Sequence, residues 1–125
     1  MRPEENGGGA GTAKVIHLQR ALANMRGKVP LLHKIAQAFL EDSPEQLEAV
    51  RRGLEARDAA AAAKSAHAMK SSLELLAADR AFGLARGIEA AGKEGNLPLA
   101  DQLFEEFQLE LSRVRRELQR LTGCV

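Results

Sequence analysis

Apolar residues recur every three to four positions through most of the chain, a spacing that predicts amphipathic α-helices. The most informative stretch runs from Ala59 to Leu76. At about 100° per residue its apolar residues share one side, and these are Ala62, Ala66, Met69, Leu73 and Leu76. The opposite side carries small, polar and charged residues, namely Ala60, Ala63, Lys64, His67, Lys70, Ser71 and Glu74. We therefore expect His67 to face solvent, with a lysine one turn to either side.

A shorter helical segment precedes this stretch. Thr12 is its candidate N-cap and Gly27 its end. Its apolar stripe consists of Val15, Leu18, Leu22 and Met25. Because the segment is short and the stripe narrow, we expect it to lie across one end of a larger bundle.

The segment from 30 to 57 contains Pro44 but is predicted to form one helix. Its apolar positions keep a single angular phase through the proline, and they are Leu32, Ala36, Phe39, Ser43, Leu47, Val50 and Leu54. A kink is expected at Pro44, where the hydrogen bond to the carbonyl of Leu40 is missing. His33 lies on the flank of the stripe. Asp58 is the predicted N-cap of the next helix, which implies a tight antiparallel hairpin.

Two more helices complete the pattern. Asp79 is the predicted N-cap of the first, whose apolar face is Ala81, Leu84, Ala85, Ile88 and Ala91, and whose end is signalled by Gly92, Gly95 and Asn96. Pro98 opens the second, whose stripe is Leu103, Phe107, Leu111, Val114, Leu118 and Leu121. These stripes must be buried against one another. The prediction is an all-α fold, an antiparallel up-down-up-down four-helix bundle with an extra short N-terminal helix packed at one end.

Composition sets the domain organisation and excludes some partners. Residues 1–11 are polar and glycine-rich and are predicted to be a flexible tail or linker, so that 12–125 form one helical domain. The net charge of +1, with no block of like charge, argues against nucleic acid as a partner. No apolar run approaches the length of a membrane span, and the N-terminus lacks the apolar core of a signal peptide. With a single cysteine, Cys124, the chain is expected to be cytoplasmic.

The candidate chemistry centres on His67. There is no phosphate-binding glycine loop, no HExxH and no paired-cysteine motif, and the histidines lie on three segments, so no metal site is expected. An exposed neutral imidazole can act as a nucleophile. If it were phosphorylated, Lys64 and Lys70 would lie within reach of about two negative charges. From the residues alone, an ordinary surface histidine remains open as the alternative.

The run from Phe39 to Glu89 resembles a histidine-containing phosphotransfer (HPt) domain of bacterial phosphorelays. The motif AHAMK, which includes His67 and Lys70, stands where that family has AHxLKG, and Ile88 and Glu89 match a later pair. The similarity extends from about Val15 to Leu121. Two positions depart from the family pattern, since Ser71 and Ala77 stand where glycines are usual.

This resemblance implies a phosphorelay carrier. His67 would accept a phosphoryl group from the aspartate of a receiver domain, in a response regulator or a hybrid sensor kinase, and pass it to another receiver. Lys70 and Lys64 would hold the phosphate, and the partner would supply Mg²⁺, so the chain needs no cofactor of its own. The receiver would dock on a face formed by Ala60, Ala63, Lys64, Ser71, Glu74 and Leu75.

Two other functions remain open at this point. The chain could be a helical adaptor that binds a signalling partner without chemistry, or the phosphate-accepting domain of a chemotaxis-type kinase. No ATP-binding feature is present, so autokinase activity is not expected. A bundle closed on itself favours a monomer. The identity of the receivers, the direction of phosphate flow, and whether the domain belongs to a larger kinase are not determined by the sequence.

Overall fold

The computed structural model describes residues 14–123, which form five α-helices and no strand. The helices are α1 (Leu18–Asn24), α2 (Val29–Glu55), α3 (Ala59–Leu75), α4 (Asp79–Lys93) and α5 (Leu97–Thr122). The predicted tail at 1–11 and the predicted cap Thr12 lie outside the described residues. Within 14–123, no helix combines the length and the apolar character that crossing a membrane requires.

Helices α2 to α5 form a closed ring around one core. Each packs against the next, and α5 packs back against α2. The largest fully buried side chains come from all four helices and include Leu32, Val50, Met69, Leu73, Ile88, Phe107, Leu111 and Leu118. Tight turns join the helices, so neighbours run antiparallel. The predicted four-helix bundle is confirmed.

The short helix α1 lies at the end of the bundle where α3 turns into α4. The backbone N–H of His17 donates to the carbonyl of Ala77 at 3.1 Å, and Asn24 Nδ2 donates to the carbonyl of Leu75 at 3.0 Å. The predicted position at one end is therefore confirmed. The predicted start is wrong, because α1 begins only at Leu18 and the residues before it are not helical. The contact of His17 with the α3–α4 turn holds that segment in a non-helical conformation.

The apolar stripe of α1 also differs from the prediction. Leu18, a predicted member, is about half exposed, and Ala21, which was not predicted, is buried, whereas Met25 is buried as predicted. Val15 still packs against the core, but it does so from outside the helix. With only seven residues, α1 is too short for its own periodicity to fix which side is buried.

Pro44 lies inside α2, which confirms the prediction of one continuous helix. The proline has no N–H, so the carbonyl of Leu40 loses its usual partner within the helix. Arg115 of α5 replaces that partner: its Nη1 lies 2.9 Å from the Leu40 carbonyl and 2.6 Å from the Oγ of buried Ser43. A side chain from a neighbouring helix thus satisfies the carbonyl that the proline leaves free.

Of the two predicted N-caps that lie within the described residues, Asp58 is confirmed and Asp79 is wrong, while Asn96, expected only to help end α4, proves to be the N-cap of α5. The side chain of Asp58 accepts a hydrogen bond from the N–H of Ala61 at 3.0 Å, and Asn96 caps α5 in the same way. The prediction for Asp79 is wrong, because Ala78 occupies the N-cap and Asp79 is the first residue of α4. The turn between α3 and α4 sets that position. Asp79 instead forms an ion pair with Arg20 and so ties α1 to the bundle.

Close helix packing fixes the position of α3. Gly92 was expected to end α4 but lies buried within it. Its role is to allow close packing, because a Cβ at this position would stand 2.7 Å from the carbonyl oxygen of Ala59. Gly53 of α2 is equally close, with its Cβ position 2.8 Å from the backbone nitrogen of Ala62. The alanine-rich first half of α3 is therefore held at backbone distance between α2 and α4. This contact makes α3 a rigid support for its exposed side chains.

Candidate functional site

His67 lies near the middle of α3 and points away from the core. Its side chain is 64% exposed, while Ala66 and Met69 beside it are fully buried. The predicted orientation of the ring is confirmed. The segment that carries it is held on both sides by the glycine contacts of α2 and α4.

A carboxylate from α4 holds one nitrogen of this ring. Glu89 Oε2 lies 2.8 Å from Nδ1 of His67 and 3.1 Å from Nζ of Lys93. Its other oxygen, Oε1, lies 2.7 Å from Nζ of Lys70, an ion pair whose angle falls outside hydrogen-bond geometry. The Glu89 side chain is only 7% exposed. A buried negative charge is thus surrounded by three cationic or potentially cationic groups.

The electrostatics of this cluster keep Glu89 ionised. The ammonium groups of Lys70 and, to a smaller extent, Lys93, together with the imidazole of His67, lower the pKa of Glu89 from 4.5 to about 2. Burial acts in the opposite direction but is outweighed.

An ionised carboxylate can only accept hydrogen bonds, so Nδ1 of a neutral His67 carries the proton that it donates to Glu89. The lone pair is then on Nε2. Because most of the side chain is exposed, this second nitrogen is accessible to a reagent from solvent. An imidazole oriented in this way can act as a nucleophile.

A shallow depression of about 520 Å³ lies between α3 and α4 beside the ring. Its lining consists of Ala60, Ala63, Lys64, His67, Glu89, Gly92 and Lys93. Ala60 and Lys64 are exposed, as predicted. Ala63 was expected on the open face but is buried at 4% exposure, because its Cβ packs against Gly92. The small side chains on both helices leave this space open.

The other predicted site residues lie toward the C-terminal end of α3. Ser71, Glu74 and Leu75 are all exposed. Lys70 is on the predicted face but is three-quarters buried and paired with Glu89, so it is not free as expected. Among residues 14–123, no group of three or more His, Cys, Asp or Glu side chains could hold a metal ion.

Sequence reasoning missed Glu89 and Lys93 as members of the site. Glu89 was noted for its similarity to a family pair, but its contact with His67 joins two helices across 22 positions. Periodicity along one helix cannot show such a contact. The available signals were the family pair and the presence of an acidic residue next to the apolar face of α4.

A sequence profile described as "Hpt domain" matches residues 34–117, about two thirds of the chain. The chain belongs to the Hpt domain family. The match confirms the resemblance and includes all members of the cluster around Glu89. Hpt domains are histidine phosphotransfer carriers of phosphorelays and interact with receiver domains, and this chain is accordingly such a carrier.

A solved structure has the same fold. The crystal structure of histidine-containing phosphotransfer protein B (HptB) from Pseudomonas aeruginosa PAO1 aligns with a TM-score of 0.81 and 22% sequence identity. The alignment covers 90% of this chain and 98% of that protein. At this level of identity the likeness concerns the fold. A comparison with curated proteins found no match.

Proposed function

We propose that Nε2 of His67 is the atom of this Hpt domain that accepts a phosphoryl group from the phospho-aspartate of a receiver domain and passes it to another receiver. The proposal rests on one observation. An exposed imidazole is held through Nδ1–H by a buried, ionised carboxylate, so its other nitrogen, Nε2, is left unprotonated with its lone pair free for attack.

The transfer balances without a proton leaving the ring. The Nε2 lone pair forms a bond to phosphorus while the bond from phosphorus to the aspartyl oxygen breaks, and the aspartate departs as a carboxylate. The imidazole gains positive charge and keeps its proton on Nδ1. Glu89 accepts that proton's hydrogen bond at 2.8 Å and compensates the charge. Transfer to a second receiver reverses these steps.

The partner completes the reaction. The receivers, of response regulators or of a hybrid sensor kinase, would supply Mg²⁺ and the accepting aspartate. We place the docking face on the exposed residues around the ring, which are Ala60, Lys64, Ser71, Glu74 and Leu75. The domain would act in the cytoplasm as a monomer, with no cofactor of its own.

Transfer of radiolabelled phosphate from a phosphorylated receiver tests this proposal. The wild type and His33→Gln should gain the label, while His67→Gln should gain none and should keep its helical circular dichroism spectrum, because the ring is outside the core. Label that is unchanged in His67→Gln would refute the assignment.

A second arm separates the relay from the kinase-linked alternative. The domain is incubated with ATP and an isolated kinase domain of the chemotaxis type, and with the phosphorylated receiver in parallel. The relay predicts label only from the receiver. Label from the kinase domain alone would assign the site to direct phosphorylation instead.

A further inference from the structure

Three lysines surround His67, and the structure divides them into two kinds. Lys70 is 23% exposed, and its Nζ is fixed 2.7 Å from Glu89 Oε1. Lys93 is 69% exposed and reaches the other oxygen of Glu89 at 3.1 Å. Lys64 is exposed on α3 and makes no ion pair with any of residues 14–123. Only Lys64 and Lys93 line the depression beside the ring.

We infer that Lys64 and Lys93 bind the phosphoryl group on His67 from the two walls of this depression, while Lys70 is a positioning residue that holds Glu89. The inference rests on the proposed function and assigns the groups that stabilise its phosphorylated state. It reassigns Lys70, which the sequence pattern predicted to contact phosphate.

The geometry supports this division of roles. Lys93 Nζ lies 3.1 Å from Glu89 Oε2, which is itself 2.8 Å from Nδ1 of His67, so this ammonium stands beside the imidazole ring. Lys64 precedes His67 by three residues, so both side chains lie on the same face of α3. Both lysines line the same depression as the exposed ring, so a phosphoryl group on His67 would lie within reach of their flexible side chains.

Charge balance favours the same assignment. A phosphoryl group brings about two negative charges to a site where Glu89 already carries one. Moving Lys70 onto the phosphate would leave a nearly buried carboxylate with less compensation, which is costly. Lys93 can turn to the phosphate at a smaller cost, because its chain is mostly exposed and Lys70 and His67 remain on Glu89.

The test measures the ionisation of the phosphoryl group directly. Wild type and variants are phosphorylated on His67 with phosphoramidate, a small donor that requires no partner, and the ³¹P chemical shift is followed against pH. Nearby cations favour the doubly charged phosphoryl form. Lys64→Met and Lys93→Met should therefore each raise the titration midpoint, by roughly half a pH unit. Lys70→Met and Lys34→Met, a substitution of an exposed lysine on α2, should leave it in place.

A rate measurement tests the positioning role of Lys70. Lys70→Met should slow labelling, and adding it to Glu89→Gln should cause no further loss, because both changes break the same contact. The double variant removes both charges of the ion pair and so guards against misfolding of Lys70→Met alone.

Two results would overturn the assignment: a raised midpoint in Lys70→Met, or an unchanged midpoint in both Lys64→Met and Lys93→Met. A wild-type protein that takes no label on His67 from phosphoramidate or from a receiver would instead refute the proposed function, and this assignment with it.

Discussion

Replacing Glu89 with glutamine should make the stability of the bundle less dependent on pH. The substitution keeps the size of the side chain and its ability to accept hydrogen bonds, but removes the charge that Lys70, Lys93 and His67 surround. The pKa of Glu89 falls from 4.5 to about 2 on folding. At 1.36 kcal/mol per pH unit, this shift corresponds to about 3 kcal/mol of stability at neutral pH. The side chain is 7% exposed, so little of this energy is lost to screening by solvent.

The direction of the pH effect follows from the sign of the shift. A carboxyl group with a lower pKa in the folded state stabilises the protein above its unfolded value of 4.5, and this contribution is lost as the pH falls through about 2. By pH 3 the wild type should have lost about 2 kcal/mol from this group alone. Glu89→Gln cannot lose it. The two proteins should therefore differ by about 3 kcal/mol at pH 7 and by only about 1 kcal/mol at pH 3.

Urea unfolding followed by circular dichroism, repeated between pH 7 and pH 3, measures this difference. Glu94→Gln is the control, since Glu94 is an exposed acid at the end of the same helix and its loss should change stability by at most about 0.5 kcal/mol. A gap between wild type and Glu89→Gln that stays constant over this range would refute the account of the cluster.

Two further predictions concern the scaffold, and both are read from urea unfolding at pH 7. Gly92→Ala should destabilise the protein by about 1–2 kcal/mol, because overpacking at backbone distance outweighs the gain in helix propensity. Gly83 lies in open space on the same helix, so Gly83→Ala should stabilise the protein by about 0.5–1 kcal/mol. Equal effects of the two substitutions would contradict the close contact at Gly92. Arg115→Met should cost about 2 kcal/mol, because it leaves the Leu40 carbonyl and the buried Ser43 hydroxyl without their partner. Arg116→Met on the exposed face should cost less than about 0.5 kcal/mol, and similar losses in the two variants would argue against that role of Arg115.

The long helices could be predicted because their periodicity extends over many turns. In α2 the apolar phase continues through Pro44, and the predicted single helix is what the structure shows. In α1 only seven residues are helical, and contacts with the α3–α4 turn decide where the helix begins. Asp79 fails as a cap for a related reason, since the turn places Ala78 at that position. Local sequence signals therefore fail to locate a helix terminus where a tertiary contact determines the backbone conformation.

The structural roles of the glycines were the hardest to predict, since each role depends on residues that are distant in the sequence. Gly95 does end a helix, with φ of 74° in the left-handed region. Gly92, three positions earlier, lies within the helix against Ala59 of another. The same residue type serves as a turn in one place and as a point of close approach in the other. Only the packing of α3 against α4 distinguishes them.

The site shows the same division between local and distant information. Helical spacing correctly placed His67 on the exposed face and Lys64 and Lys70 one turn away. It could not show that Glu89 would pair with Lys70, because that contact depends on the axial register of α4 against α3. The approach of Gly92 to Ala59 fixes this register, and it thereby brings Glu89 to 2.8 Å from the imidazole. A glycine that the sequence suggested as a helix stop therefore sets which nitrogen of His67 is left free to react.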